Sequence, residues 1–331
     1  MKSVRVRVCL GLTVAALLAG CGGVKTTSSG GGAEGNYPTG NIQMSVGASP
    51  GGSTDLITRA IAEGLGKELG VSVPVVNKPG ANGALNAKEL QSAPADGYKI
   101  AVQNASLFTI TPLAVSAAEA VKIDDFDLIG GVSQDDYMLA AHADSGYKTI
   151  ADLKKAGKTI KYGTTGVGTG AQLASALTFK VAGIPSTDVP FDGGAPAMTA
   201  LLGRQVDVAT FQLGEGIENV KAGKLVPLAV FSGERIKYLP DVPTAKEQGF
   251  DVVVSQYRFL TAPKGTPEEV KSKLFDAAKK TFATDAYKKF NEANFLTPIE
   301  VPPSEVQKML GDSTSKYKGQ VEQYGIKLGS A

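Results

Sequence analysis

The stretch Ser49-Pro50-Gly51-Gly52-Ser53-Thr54-Asp55 sets hydroxyls, paired glycines and a carboxylate at a point where a strand pattern gives way to a helix pattern. At a helix start the main-chain N–H groups lack partners, the helix dipole adds positive potential, and glycines let a ligand reach the backbone. That chemistry suits an anion held by neutral donors. The same residues also read as a tight turn in which Ser53, Thr54 or Asp55 caps the helix. A second stretch of this kind, Thr164-Thr165-Gly166-Val167-Gly168-Thr169, runs into the helical pattern that contains Gln172 and has Leu173 and Leu177 on one face. Its glycines follow G-x-G-x-G, which is neither the dinucleotide fingerprint nor a phosphate-binding P-loop, because no lysine follows. The two stretches together read as facing jaws of one site.

The elements that must position these jaws are visible in the hydrophobic pattern. Ile42, Met44 and Val46 alternate as a strand does, and Ile57, Ile61 and Leu65 recur at helical spacing. Further strand-like segments are VSVPVVN, YKIAV, FDLIGGV, TIKYG, VDVATF and VPLAVF, separated by helical patterns such as LNAKELQSA, IADLKKAG, AQLASALTFKVAG and APAMTALLG. This alternation predicts α/β layers around parallel sheets, with ligand loops at the carboxyl ends of the strands. From Asn41 onward roughly 290 residues remain, enough for two domains or one large one. The C-terminal tail reads as helices with solvated, lysine-rich outer faces.

No catalytic or metal-binding set stands out. His142 is the single histidine. A nucleophile triad built on it would call for a G-x-S-x-G elbow, and no serine has one, so His142 reads as a surface residue. The acidic pairs in KIDDFD and QDDY lack EF-hand spacing and read as exposed turns and caps. The cysteines are Cys9 and Cys21. Neither is placed for thiol chemistry or a disulfide in the folded part, so no metal and no cofactor is expected.

The first residues predict the compartment. Lys2, Arg5 and Arg7 precede the apolar run Val8 to Leu18, and Leu18-Ala19-Gly20-Cys21 follows at once. This pattern resembles a lipoprotein signal peptide over residues 1–20, with Cys21 as the acylated first residue of the mature chain. Residues 21–40, rich in Gly, Ser and Thr, read as a flexible leash. Loss of the three leader cations takes the formal charge from +2 to −1. With no basic block elsewhere, a nucleic-acid partner is not expected. The expected location is extracytoplasmic, held to the cell membrane by the lipid anchor.

Six segments, in order along nearly all of the expected mature chain, carry a family likeness: VGASPGGSTDLITRAIAEGLGKELG, VPVVNKPGANGALNAKELQSAPADGY, TIKYGTTGVGTGAQLASALTFKVAGI, VPFDGGAPAMTALLGRQVDVATF, GKLVPLAVFSGERIKYLPDVPTAKEQGF and YRFLTAPKGTP. The chain resembles the substrate-binding proteins of tripartite tricarboxylate transporters, the Bug family. The resemblance implies a two-domain α/β Venus-flytrap of the type II periplasmic-binding-protein kind with crossing hinge strands. It implies 41–140 plus 256–331 as the first domain, 141–255 as the second, and no enzymatic activity. It also implies a monomer that delivers a small carboxylate, a di- or tricarboxylate or an aromatic acid, to one large and one small membrane subunit; the alternative readings of the residues are a secreted α/β esterase-like enzyme and an envelope lipoprotein with no transport role.

Carried over by residue, the resemblance implies first-jaw contacts from Ala48, Ser49, Gly51, Gly52, Ser53 and Thr54, with Asp55 either capping the helix or accepting from a ligand ammonium. Gln103 and Asn104 hold the equivalent strand-end place. Thr164, Thr165, Gly166, Gly168, Thr169 and Gln172 would form the opposing jaw, joined by Phe191, Asp192, Gly193, Gly194 and Ala195, and by Phe211 and Gln212. Tyr257 would be a ligand contact or, with Arg258, hinge packing. Lys78 and the Asn82-Gly83 turn would either shape the rim or form only a fixed turn. Two departures bear on the ligand: Val46-Gly47 stands where the family usually has Pro-Phe or Pro-Tyr, and Gln172 where it commonly has His. Ligand preference therefore does not transfer from a relative.

Overall fold

The computed structural model of the protein describes residues 37–329. The expected signal peptide, Cys21 and most of the leash lie outside the described residues. In chain order the elements are β1 (Gln43–Val46), α1 (Ser53–Leu69), β2 (Val75–Asn77), α2 (Ala84–Gln91), β3 (Lys99–Asn104), α3 (Ser106–Thr109) and β4 (Phe126–His142). Then come α4 (Ile150–Lys155), β5 (Ile160–Thr164), α5 (Gly170–Ala182), β6 (Ser186–Pro190), α6 (Gly194–Leu202), β7 (Val208–Gln212), α7 (Leu213–Lys221) and β8 (Leu225–Val230). The chain closes with β9 (Ser255–Pro263), α8 (Glu268–Ala283), α9 (Asp285–Ala293), β10 (Thr297–Pro298) and α10 (Pro303–Tyr324).

Strand order is β2-β1-β3-β9-β4-β7-β5-β6, with β8 and β10 also pairing β4. The three strands β1, β2 and β3 run parallel, as do β5, β6 and β7. Both faces of such strands are covered by helices, which is why Ile42, Met44 and Val46 are wholly buried even though Ser45 between them is nearly so. The arrangement is a two-domain α/β Venus-flytrap, and β4 is its hinge. Phe126 to Asp136 pair with β9 on one side of the molecule, whereas Tyr137 to His142 pair with β7 and β8 on the other. The chain crosses again just before β9, where Val254 N donates to Phe231 O at 2.9 Å.

Each lobe has its own apolar core. Leu107, Phe108, Phe126 and Phe259 gather in the first. Tyr137, Leu139, Leu173, Leu177 and Phe179 gather on one face of the second lobe's sheet, and Met138, Phe211 and Ile217 on the other. The last helix joins the two: Val306 and Leu310 of α10 pack in the first lobe's core, while Tyr317 packs in the second's, with Val321 and Tyr324 against it. Among the described residues no helix is long and apolar enough to cross a membrane.

One expectation is overturned here. Asp135 and Asp136 of QDDY are not an exposed turn but the middle of β4, with Asp135 only 3% exposed. The reason is charge pairing across the sheet: Arg258 of β9, 1% exposed, places Nη1 2.6 Å from Asp135 Oδ2. A buried carboxylate is tolerated where a fixed guanidinium meets it.

Candidate ligand-binding site

Between the lobes lies a cleft of about 460 Å³. The first lobe lines it with Gly47 to Thr54, Pro79 to Asn82, Asn104 and Gln256, and the second with Thr165, Gly166, Val167, Thr169, Pro190 to Pro196, Gln212 and Glu215. Two helix starts in this wall have no side-chain cap. The N-cap of α1 is Gly52 and that of α6 is Gly193, and neither residue has an acceptor to offer the first turn. In contrast, α5 and α7 close their own first turns. Thr169 Oγ1 accepts from Gln172 N in α5, and Glu215 Oε2 accepts from Gln212 N in α7. Unsatisfied N–H groups and positive helix ends are thus left at α1 and α6, both facing the cleft. No lysine or arginine lines it; its charged side chains are Asp192 and Glu215.

The sequence-based site residues divide by strand parity. Asn104, Thr165 and Gln212 line the cleft, while their neighbours Gln103, Thr164 and Phe211 do not. Successive strand residues point to opposite faces, so only one of each pair can reach the ligand side. Gln103 is buried with its Nε2 unpartnered, Thr164 Oγ1 donates to Asp188 Oδ1, and Phe211 sits in the second lobe's core. Ala48, Ser49, Gly51, Gly52, Ser53, Thr54, Gly166, Thr169, Phe191, Asp192, Gly193, Gly194 and Ala195 all line the cleft. Tyr257 packs against the first lobe's core instead.

Asp55 is turned away from the cleft. Its Oδ2 accepts from Gly51 N at 2.8 Å and Arg59 Nε at 3.1 Å, and its Oδ1 accepts from Asn77 Nδ2 at 2.7 Å. Burial works to raise this carboxyl, but the bonds from Arg59, Gly51 and Asn77 hold it below its ordinary value. Asp55 therefore fixes the Gly51-Gly52 turn from behind. Gln172 does the same for the opposite jaw: its Oε1 accepts from Gly168 N at 2.8 Å, and its Nε2 donates to Asp188 Oδ2 at 2.6 Å. Lys78 pairs with Glu89 and lies outside the cleft lining.

The jaws also touch. Asn82 Nδ2 donates to Gly168 O at 3.2 Å, and Thr111 Oγ1 donates to the same carbonyl at 3.1 Å. Asn82 adopts a left-handed conformation (φ 53°), one that asparagine tolerates, to reach across. At the other side, Phe295 stacks edge-on against Tyr238 at 5.1 Å, with Lys221 Nζ 4.6 Å from its ring centre.

Of the charged residues in the cleft, Glu215 is the one that the sequence reading missed, because the whole of α7 escaped notice. A signal existed: Gln212 and Glu215 stand at capping-box spacing, and the two close that box here. The carboxyl lies against the backbone of Gly194, where a Cβ would sit 1.9 Å from Oε2. Burial pushes this acid up to about 7, with the Asp135 charge adding to the rise and the Gln212 N–H and Arg258 opposing it. His142, by comparison, ends β4, its Nδ1 accepting from Asp144 N at 3.1 Å. Among the described residues no cluster of His, Cys, Asp and Glu could hold a metal.

Comparison with known proteins agrees with this geometry. A family profile described as "Tripartite tricarboxylate transporter family receptor" matches residues 57–326. A protein from the TAR-I ttuE-ttuC' intergenic region of Agrobacterium vitis is 34% identical over 252 residues, covering 75% of this chain and 72% of that protein. Among solved structures, the periplasmic binding protein BugD is 27% identical with a TM-score of 0.81, covering 89% of this chain and 100% of that one. The R. palustris protein Rpa4515, solved with adipate, has a TM-score of 0.83 at 23% identity over 89% of this chain and 100% of its own, a likeness of fold. With the flytrap fold and a profile match over most of its length, this chain belongs to the tripartite tricarboxylate transporter receptor family.

Proposed function

We propose that the protein is an extracytoplasmic receptor that captures one small carboxylate between its lobes and hands it to the large and small membrane subunits of a tripartite tricarboxylate transporter. The observation that carries this reading is the pair of uncapped helix starts at Gly52 and Gly193, facing one cleft that no cationic side chain lines. Backbone N–H groups and the hydroxyls of Ser49, Ser53, Thr54 and Thr165 complement one or two carboxylate charges and leave release easy, because no permanent cation holds the ligand. The adipate in the related fold supports a carboxylate over a phosphate or sugar.

The lobes in this reading are 41–140 with 256–331, and 141–255, with the end of α10 bracing the second. Closure is a rotation about the crossings in β4 and before β9. Cys21 tethers the mature chain by its acyl groups. Intact mass of membrane-extracted protein should begin at acylated Cys21, and a Cys21→Ser form should be shed or unprocessed.

The ligand test is a thermal-shift screen of small acids against their methyl esters. Ligand at a hundredfold over its dissociation constant adds about 2.7 kcal/mol to stability, a shift of a few degrees for a chain of this size. The acid should shift the transition and its ester should not. A dye or calorimetry must report it, since the chain has no tryptophan. Stabilisation by sugars, amines or phosphate but by no carboxylate would overturn the reading.

A further inference from the structure

Resting on the carboxylate reading above, we infer that Glu215 is a ligand-contacting residue that selects carboxylates bearing a hydrogen-bond donor, an ammonium or hydroxyl group, over their plain parents. Glu215 sits at N3 of α7 and lines the cleft. Only Oε2 is engaged in the capping box, through Gln212 N at 3.2 Å. The side chain is half-buried rather than closed off, so the carboxyl keeps an acceptor face toward the cleft. Gly194 leaves room for it there: any side chain at 194 would displace the carboxyl from its place beside the α6 start.

The chemistry of the rest of the wall makes this acid consequential. A carboxylate ligand needs donors, and the α1 and α6 starts supply them. An ionised Glu215 beside that ligand repels a plain carboxylate and accepts from a ligand N–H or O–H. The first lobe's own acid at the jaw, Asp55, has both oxygens occupied by Gly51, Arg59 and Asn77 and is unavailable for this task. Charged groups around Glu215 are Asp135 and Arg258 from the crossing strands and Asp192 from the loop before α6. Asp135 and Arg258 pair with each other, so they leave the acid's charge largely uncancelled. A carboxyl raised to about 7 is poised to respond to whether the ligand brings a positive or a negative group to it.

The test uses three series built on constant skeletons: succinate, malate and aspartate; glutarate, 2-hydroxyglutarate and glutamate; benzoate, 4-hydroxybenzoate and 4-aminomethylbenzoate. Titration calorimetry is run on the wild-type protein, Glu215→Gln and Glu215→Ala. Within the series that binds, the donor-bearing member should exceed its plain parent by about tenfold or more, and both variants should reduce that ratio to within about threefold of one. The pH profile separates contact from mere helix capping. For an ammonium-bearing ligand, affinity should fall as pH drops through about 7 in the wild type and stay flat in Glu215→Gln, whereas a plain carboxylate should gain affinity over the same interval. Plain parents binding as tightly as their derivatives, with both variants unchanged, would overturn the inference and leave the carboxylate reading standing. No member of any series binding would remove both.

Discussion

Arg258 Nε donates to Thr54 Oγ1 at 2.8 Å, joining a hinge-strand cation to the first helix of the cleft although 204 residues separate them. The same guanidinium holds Asp135 through Nη1. Thr54 Oγ1, with Arg258 as its donor, is left free to give its own proton to Asn104 Oδ1 at 3.3 Å or to a ligand. Arg258→Met strands a buried carboxylate, so it should cost about 3–5 kcal/mol of unfolding free energy. Adding Asp135→Asn should recover much of that loss. Urea titration of both variants checks this, and equal destabilisation would show that the pair is not the source.

Thr54 also stands between two roles, so its substitutions should separate them. Thr54→Val removes the acceptor for Arg258 as well as a cleft hydroxyl, and should lower stability by about 1–3 kcal/mol while weakening ligand binding. Thr54→Ser keeps the hydroxyl and should change neither by much. Calorimetric melting and ligand titration on the two variants would show it.

Gln172 acts on the second jaw from behind. Gln172→Leu leaves the Gly168 N–H and Asp188 Oδ2 without their partner, Oδ1 keeping the Thr164 hydroxyl, which should cost about 1–3 kcal/mol. Because Gln172 does not line the cleft, any loss of affinity reflects a loosened Gly166-to-Thr169 turn. Amide exchange over 165–169 should quicken in the variant, and unchanged exchange would mean the turn holds itself.

Gly168 is where the lobes meet, and its geometry admits no side chain. It has φ +71°, and a Cβ would sit 2.8 Å from Thr111 Cα. Gly168→Ala should therefore disfavour the closed arrangement while leaving each lobe folded. Small-angle scattering should give a larger radius of gyration than wild type under the same saturating carboxylate, and matching profiles would count against this contact as a closing element.

Glu215 should also make stability pH-dependent in the absence of ligand. Its ordinary value is 4.5 and burial, the largest cause, lifts it to about 7, so the folded state binds its proton more tightly than the unfolded state. The stabilising contribution is then present below about pH 4.5, is lost progressively as pH rises toward about 7, and is absent above. Glu215→Gln retains an acceptor for Gln212 N and has no charge to bury. It should be more stable than wild type by about 3 kcal/mol near pH 8 and nearly equal to it near pH 4. Melting curves at the two pH values provide the measurement.

The amino-acid sequence by itself determined the local parts. Alternation in Ile42, Met44 and Val46, helical spacing in Ile57, Ile61 and Leu65, and glycine-rich turns at Gly51-Gly52 and Gly166 to Gly170 rest on periods and backbone freedom that act within a few residues. The helix starts could be read from such patterns, and the family could be read from six of them in register. Tertiary structure decided what depends on partners distant in the chain. Asp135 reads as a surface acid until Arg258, on another strand, buries beside it; Asp55 reads as a helix cap or a ligand acceptor, and Gln172 as a ligand contact, until Asn77 and Asp188 occupy them. Strand parity chose Asn104 over Gln103 and Gln212 over Phe211, because the pleat faces the cleft with only one of each pair. Glu215 entered the site only because α6 and α7 pack together, with Gly194 yielding the space, and no pattern within α7 encodes that contact.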